Sequence, residues 1–313
     1  MKGLEIARAY WEQFGKPMLE TRFPDLLPLL AVGLTGAGSE CFGFDDDISC
    51  DHDFEPGFCV FLPGEDIVSR REAFLLERAC ARLPSGFMGL RRGLIPPAGG
   101  ARRGIMRTAE YFTDKVGAPD GVLTVGQWLA LPESALAEAV NGELFYDGFG
   151  EVTRIREGLR RYPEDIRRKK LAGHLLLMSQ SGLYNYSRCL SHGEPGAAQL
   201  AVIEFVDHAM SAVFLLNEVY RPFYKWRFRA MRQLSRLSLL AELMEYLLTT
   251  PNDGDLAPQK REVMEGIVQD IIRETVAQRL STAKETLVEK HARSVNDGVT
   301  DPSLRNADLL MAV

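Results

Sequence analysis

The sequence predicts an α+β fold in which an α/β domain, residues 1–150, precedes an all-helical domain, residues 151–313. The first half alternates short apolar runs with helical segments and is punctuated by Gly and Pro, which favours strands joined by turns. From Pro163 onward, long stretches with helical spacing contain few breakers. A chain of 313 residues is long for one core and comfortable for two, so we expect two domains.

The elements of the first half follow from apolar runs, breakers and capping residues. We expect a helix over 5–14, a buried strand over 26–34 ending in a glycine turn at 35–39, a strand at 51–54 that resumes at 58–62, a helix over 70–83, an irregular segment over 84–104, a strand over 104–107, and helices over 109–116, 127–129 and 132–140. Thr108 and Thr124 are the expected N-caps of two of these helices.

The second half carries helical periodicity in four segments. They cover residues 163–190, 197–219, 224–248 and 258–290. The last stretch, residues 296–313, is polar and turn-rich and fixes no structure. The sequence therefore predicts a helical bundle for this half.

Composition and charge exclude several classes of protein. No apolar run approaches the roughly 20 residues that a membrane span needs, and charged residues interrupt the first 20 positions, so we expect a cytoplasmic protein without a membrane anchor. A formal net charge of -6 disfavours broad attraction to nucleic acid. Five cysteines without a CxxC pair make disulfides and structural zinc unexpected.

Carboxylates are crowded just after the first glycine turn. Residues 40–54 hold six of them, and Asp51 and Asp53 would share one face of an extended strand because side chains alternate. Two such carboxylates form a hard oxygen site suited to Mg²⁺ or Mn²⁺. The preceding Gly38–Ser39 turn can approach a phosphate closely, although a serine after glycine is equally suited to capping a helix.

The spacing of Gly38–Ser39 and Asp51-x-Asp53 resembles the signature of the nucleotidyltransferase superfamily. A more specific resemblance is to the bacterial DUF4037 family, carried by residues 38–58, 141–150, 162–170 and 181–189. The two-part layout is also similar to that of aminoglycoside nucleotidyltransferases. These resemblances imply a nucleotidyltransferase-type mixed sheet followed by a helical bundle.

The superfamily resemblance implies that two metal ions bound by Asp51 and Asp53 stabilise a phosphoryl transfer. A third acidic residue usually completes such a site. Glu110 is the candidate by order, although an acid in the first turn of a helix is expected anyway. Asp46 or Asp47 could supply the carboxylate from the loop, with Asp46 as an expected metal ligand, and Glu143 or Asp147 could approach from the segment between the domains.

Four residues of the helical half are candidate nucleotide ligands. Lys169 and Lys170 lie early in a long helix, where consecutive positions point in different directions and at most one or two reach a cleft. Tyr184 and Arg188 are four residues apart and share a helix face, which suits base stacking and hydrogen bonding, although aromatic residues at that spacing are more often core.

The expected function is metal-dependent transfer of a nucleoside monophosphate from an NTP, taken as ATP, to an unknown hydroxyl on a small molecule or protein. One alternative is a nucleotide sensor that binds Mg²⁺–ATP without catalysis. Another is an interaction protein whose acidic strand has lost its role. Nothing in the sequence names the acceptor.

Overall fold

The computed structural model describes residues 1–48, 55–92 and 103–313. They form two compact units, one of residues 1–127 with 131–160 and one of residues 128–130 with 161–313. The first unit thus extends past the division expected at residue 150. The predicted metal ligands Asp51 and Asp53 lie outside the described residues.

The first 160 residues contain six described strands and seven described helices. In chain order they are α1 (Gly3–Tyr10), a π-helical turn (Trp11–Gly15), α2 (Lys16–Arg22), a 3₁₀ turn (Leu27–Leu29), β1 (Ala31–Leu34), a second 3₁₀ turn (Ser39–Phe42), β2 (Cys59–Leu62), α3 (Arg70–Ala81), β3 (Gly86–Phe87), β4 (Leu90–Arg91), β5 (Gly104–Arg107), α4 (Thr108–Val116), α5 (Val125–Ala130), α6 (Glu133–Val140), β6 (Glu143–Asp147) and α7 (Glu151–Leu159).

Four strands make a small mixed sheet in the order β5-β2-β1-β6. β1 runs antiparallel to both β2 and β6, whereas β2 and β5 are parallel. The β5 prediction is confirmed, and so is α3, whose N-cap Ser69 accepts a hydrogen bond from the Glu72 amide. The predicted strand over 26–34 is too long, because Pro28 lies in a 3₁₀ turn and the strand begins at Ala31.

Alternating side chains of β2 point to the two opposite faces of the sheet. Val60 and Leu62 pack with Tyr10, Trp11 and other apolar residues of the α1–α2 and α3 helices. Phe61 points to the other face, where its ring lies 5.2 Å from that of Tyr111 on α4. The strand is apolar throughout because both of its faces are covered.

The second unit is built from helices. They are α8 (Glu164–Met178), a π-helical segment (Ser179–Asn185), α9 (Tyr186–Ser191), α10 (Pro195–Leu216), a 3₁₀ turn (Tyr224–Trp226), α11 (Arg227–Met231), α12 (Leu240–Thr249), α13 (Leu256–Ala277), α14 (Val288–Asp297) and α15 (Pro302–Asn306). The helical character predicted for this half is confirmed.

Two of the predicted helices are wrong in extent. The segment expected over 224–248 is divided among a 3₁₀ turn, α11 and α12, and Leu237 between the two helices has a left-handed backbone with φ of 60°. The segment expected over 258–290 ends as a helix at Ala277, and α14 begins at Val288. Helical periodicity alone does not detect such breaks, because the residues in them are not Gly or Pro.

α10 is the central helix of the second unit. Among the described residues it is the helix long and apolar enough to cross a membrane, but 67% of its most apolar window is buried inside the protein. Phe205, Val206 and Phe214 pack in one cluster with Leu171 of α8 and Ile271 of α13. Its hydrophobicity is therefore accounted for by the core of the bundle.

Candidate functional site

The glycine turn after β1 is the predicted phosphate-contacting part of the site, and the structure describes it. We call residues 35–41 the β1 turn. Gly38 has an extended backbone and precedes a 3₁₀ turn that starts at Ser39, where the sequence had suggested the start of a helix. Gly36 adopts φ of 117°, a conformation that other residues rarely take.

Asn141, at the end of α6, holds the β1 turn in place. Its Nδ2 donates to the Gly36 carbonyl at 2.7 Å, and its Oδ1 accepts from the Gly36 amide at 2.9 Å. The same Oδ1 accepts from the Thr35 hydroxyl at 3.1 Å, and the Gly142 amide donates to the Cys41 carbonyl at 2.8 Å. Residues 38–58 and 141–150, two of the blocks that carried the family resemblance, are thus in contact in the first unit.

Arg156 of α7 supports Asn141 from behind. Its guanidinium donates to the backbone carbonyls of Val140 and Asn141. The side chain is buried, and burial lowers the pKa of Arg156 from its usual value. A buried guanidinium at the end of α6 satisfies carbonyls that the helix leaves open.

A buried ion pair links the β1 turn to β5. Arg103 donates to Glu40 Oε1 at 3.2 Å, and the two side chains are only 8% and 5% exposed. The Glu40 carboxylate folds over Gly38, where a Cβ atom would lie 2.3 Å from Glu40 Oε2. A side chain at position 38 would therefore have to displace the Glu40 carboxylate. Burial also raises the pKa of the neighbouring Cys59 thiol to about 11, partly offset by Arg103.

A cavity of about 280 Å³ opens beside this ion pair, against the start of β2 and β5 and the end of α3. Its polar lining includes Arg92, Arg103 and the Tyr10 side chain, and its apolar lining includes Phe58 and Ile105. Glu55, the first described residue after Asp53 in the sequence, also lines it. The chain that carries the acidic motif therefore enters β2 along the wall of this cavity.

The three acidic residues 45–47 have different surroundings. Asp45 is buried, accepts from the Gly3 amide at 2.8 Å and has its Oδ1 atom 3.7 Å from Lys2 Nζ. A carboxylate at the start of α1 complements the helix dipole. Asp46, the predicted metal ligand, and Asp47 are exposed. The structure thus assigns Asp45 to the fold and leaves the role of Asp46 a prediction.

The two strands that flank β2 supply no third carboxylate. β5, the later strand that pairs with β2, carries no Asp or Glu. Glu110 follows it in the first turn of α4 and is exposed. Thr108 is not the N-cap of α4, because that position belongs to Arg107, and the Thr108 hydroxyl instead donates to the Leu62 carbonyl at 3.1 Å.

Glu143 and Asp147 lie on β6, a strand that the sequence did not predict. Glu143 forms an ion pair with Arg8 of α1. Asp147 accepts from the Gly150 amide and from the Thr153 amide, each at 2.8 Å, and so organises the start of α7. Both carboxylates therefore have partners within the first unit.

Lys169 and Lys170 are buried inside the second unit. Lys169 Nζ donates to Asn296 Oδ1 at 2.9 Å and to the Ala307 carbonyl at 2.8 Å. Lys170 Nζ donates to the carbonyl of Leu129 at 3.0 Å and to that of Ala312 at 3.2 Å. For either ammonium group to contact a nucleotide, these bonds would first have to be exchanged, since burying an unsatisfied polar group is costly.

Tyr184 and Arg188 share one exposed face, as their spacing predicted. Arg188 donates to the Tyr184 hydroxyl at 2.8 Å, and its guanidinium lies 5.1 Å from the centre of the ring. Tyr184 is 57% exposed. The pair offers an exposed aromatic ring beside a cation, which suits contact with a nucleotide base. This role in nucleotide binding stays a prediction.

No three His, Cys, Asp or Glu side chains come together as a metal site within residues 1–48, 55–92 and 103–313. The predicted Mg²⁺ ligands Asp51 and Asp53 are outside these ranges. Sequence reasoning did not single out Asn141 or Arg92, and it did not foresee that Glu40, one of the six crowded carboxylates, pairs with Arg103. The Asn141–Gly142 dipeptide between two apolar segments was the signal that could have pointed to a turn there.

The structure defines a mixed α+β protein with a small mixed sheet and a helical C-terminal region. A family model described as a domain of unknown function (DUF4037) matches residues 128–227. The match contains residues 141–150, 162–170 and 181–189, three of the four blocks that carried the resemblance, and does not extend to residues 38–58. No curated protein and no solved structure matches the chain.

Proposed function

We propose that this protein is a metal-dependent nucleotidyltransferase. The supporting observation is the fixed β1 turn: Asn141 holds its start, and the Glu40–Arg103 pair ties its end to β5. β2, which the chain enters after Asp53, lies between β1 and β5. A rigid glycine turn next to a strand that follows paired carboxylates suits binding of a metal-bound triphosphate.

The donor set in the acidic segment fits a hard divalent cation. Glu40 and Asp45 are engaged in internal ion pairs, and Asp51 and Asp53 have the spacing that puts two carboxylates on one side of an extended chain. Asp51 and Asp53 would hold Mg²⁺ or Mn²⁺, with Asp46 as a further ligand. The ions would supply charge neutralisation on the triphosphate.

The reaction is transfer of a nucleoside monophosphate from an NTP, taken as ATP. An acceptor hydroxyl oxygen forms a bond to the α-phosphorus while the bond to the β-phosphate oxygen breaks, and pyrophosphate leaves. The hydroxyl proton passes to a base, for which Glu110 is the candidate. Gly38 and Ser39 would contact phosphate.

A nucleotide sensor on the same fold is the second candidate. One observation favours the sensor: β5 carries no carboxylate, and Glu110 lies after this strand, in the exposed first turn of α4. A sensor would bind Mg²⁺–ATP and release no pyrophosphate with any acceptor. The two functions therefore differ in turnover and share the binding step.

The first test is a thermal-shift titration with each NTP and Mg²⁺ or Mn²⁺. Wild type is compared with the Asp51→Asn, Asp53→Asn double variant. A matched control is the Asp253→Asn, Asp255→Asn double variant, which changes the same DxD spacing on an exposed loop of the helical unit. A ligand at 100 times its Kd stabilises by about 2.7 kcal/mol, enough for a clear shift of the melting midpoint.

We expect a metal-dependent shift in the wild type and in the loop control that disappears in the Asp51/Asp53 double variant. Pyrophosphate release with an acceptor library then separates the transferase from the sensor. No shift with any nucleotide would rule out both functions.

A further inference from the structure

Arg92 brings a guanidinium to the wall of the 280 Å³ cavity, and among residues 1–48, 55–92 and 103–313 no carboxylate forms an ion pair with it. Its Nη2 atom donates to the Tyr10 hydroxyl at 2.8 Å, and its Nη1 atom lies 3.5 Å from the Cys80 carbonyl oxygen. Both partners are neutral. Within the described residues, Arg92 makes no ion pair with a carboxylate, unlike Arg103 on the same wall, which is paired with Glu40.

The position of Arg92 is fixed rather than free to turn into solvent. Its side chain is half-buried, and its guanidinium lies 5.9 Å from the centre of the Tyr10 ring. The Tyr10 hydroxyl is itself oriented, because it donates to the Pro84 carbonyl at 2.7 Å. The backbone of Arg92 is anchored as well, by a 2.8 Å bond from its amide to the Ser85 carbonyl. A preorganised guanidinium loses little entropy when it binds an anion.

The rest of the wall supplies an apolar surface. Phe58, Val60, Leu83 and Ile105 line the cavity beside the guanidinium. Glu77, a carboxylate on the same wall, belongs to an exposed position of α3, and Glu55 has an interaction of its own. Ligand sites typically combine such apolar walls with a few polar groups, and this volume is just below their usual range of about 300–1,000 Å³, which suits a small ligand.

We propose that this cavity binds a small organic anion, with its carboxylate or phosphate on Arg92 and its apolar body against Phe58 and Ile105. Guanidinium groups bind both kinds of anion through paired hydrogen bonds, so the two share one chemistry. The inference goes beyond the nucleotidyltransferase function and does not need it, because no residue of the acidic motif takes part. The triphosphate of a nucleotide is a second source of the same charge, and the experiment separates the two.

The test is calorimetric titration of the full chain with phenyl phosphate, benzoate and inorganic phosphate in buffer containing EDTA. We expect phenyl phosphate or benzoate to bind more tightly than inorganic phosphate, since the apolar wall contacts a ring. Arg92→Gln should weaken that binding by about ten- to hundred-fold, the loss of one charge-assisted contact. Arg92→Lys should lose less, and Arg91→Gln, at the exposed neighbouring position, should bind like wild type.

A second variant tests the same cavity without changing Arg92, in case Arg92→Gln impairs folding. Ala81→Trp changes an exposed residue at the end of α3 that lines the cavity, so it should block binding without touching the core. Binding that persists in the Asp51→Asn, Asp53→Asn variant without metal assigns the site to an organic anion rather than to a triphosphate. Absence of binding by all three probes to wild type, or equal binding by Arg92→Gln and Arg91→Gln, overturns the proposal.

Discussion

The side-chain amide of Asn141 pairs with both backbone polar groups of Gly36, in the manner of a neighbouring strand. The donor and acceptor distances are 2.7 and 2.9 Å. An amide is the one side-chain type that can both donate to a carbonyl and accept from an amide in this geometry. Asn141 therefore fixes the start of the β1 turn although more than a hundred residues separate the two in sequence.

Replacing Asn141 with Asp should destabilise the protein by about 2 kcal/mol. The carboxylate cannot donate to the Gly36 carbonyl and places an oxygen where Nδ2 now lies. The free energy of unfolding in urea measures the effect. Gln233→Glu makes the same amide-to-carboxylate change at an exposed position and should alter stability little. Equal stability of Asn141→Asp and wild type would mean that the pairing with Gly36 contributes nothing.

Breaking the Glu40–Arg103 pair should be costly: Arg103→Met leaves the buried Glu40 carboxylate without its cation and should cost about 3–5 kcal/mol, and Glu40→Met removes a buried carboxylate partner of Arg103 and should also destabilise the protein. The double variant should lose less than the sum of the two. A denaturant-based double-mutant cycle measures this coupling. Arg70→Met, which removes the exposed pair with Glu65, provides the comparison and should change stability little. Strict additivity at Glu40 and Arg103 would contradict the coupling.

Gly142→Ala should be among the most damaging changes in the first unit. The residue has φ of 65°, and an added Cβ atom would lie 2.0 Å from the Leu34 carbonyl oxygen, so β1 and β6 would have to separate. We expect a loss of about 4 kcal/mol or more in thermal or urea unfolding. Gly150→Ala shares the left-handed backbone, with φ of 74°, but meets open space and should cost about 1–2 kcal/mol. Similar losses at both glycines would remove the steric explanation.

Lys260 should make stability depend on pH in the alkaline range. Burial lowers its pKa from 10.5 to about 8, despite acceptors from Thr250 and Asn252 that favour the charged form. Between these values the unfolded chain binds more protons at this site than the native one, so stability rises with pH. The unfolding free energy of wild type minus that of Lys260→Met should increase by about 1–3 kcal/mol from pH 8 to 10.5, after allowance for solvent screening. A difference independent of pH would show that the charged form is not disfavoured in the fold.

The sequence predicted those helices and strands whose ends are set by neighbouring residues, such as capping residues and glycines. α3 begins directly after Ser69 because that residue and Glu72 form a capping box, and β5 is a short run between a glycine-rich stretch of sequence and a helix. β6 was missed because its side chains are all half-buried and show no alternation, so neither strand pattern applied. Its apolar Leu144, Phe145 and Tyr146 between Gly142 and Gly148 were the available sign.

The candidate site was less predictable because its contacts join distant parts of the chain. Lys169 and Lys170 look like solvated charges in the sequence, yet their acceptors include the carbonyls of Ala307 and Ala312. Glu40 belongs to an acidic run, and its partner Arg103 is 63 residues away. Charge patterns show where ionisable groups are, but the fold decides which of them face each other.

The strand order also has a consequence for how the protein is made. β1 gains a partner on one edge from β2, but its other edge is covered by β6, which ends at Asp147. A nascent chain that has left the ribosome only as far as α5 therefore presents an open edge of β1, the kind of edge that recruits strands from other chains. Slow translation between α5 and β6 would lengthen the time for which this edge of β1 stays open.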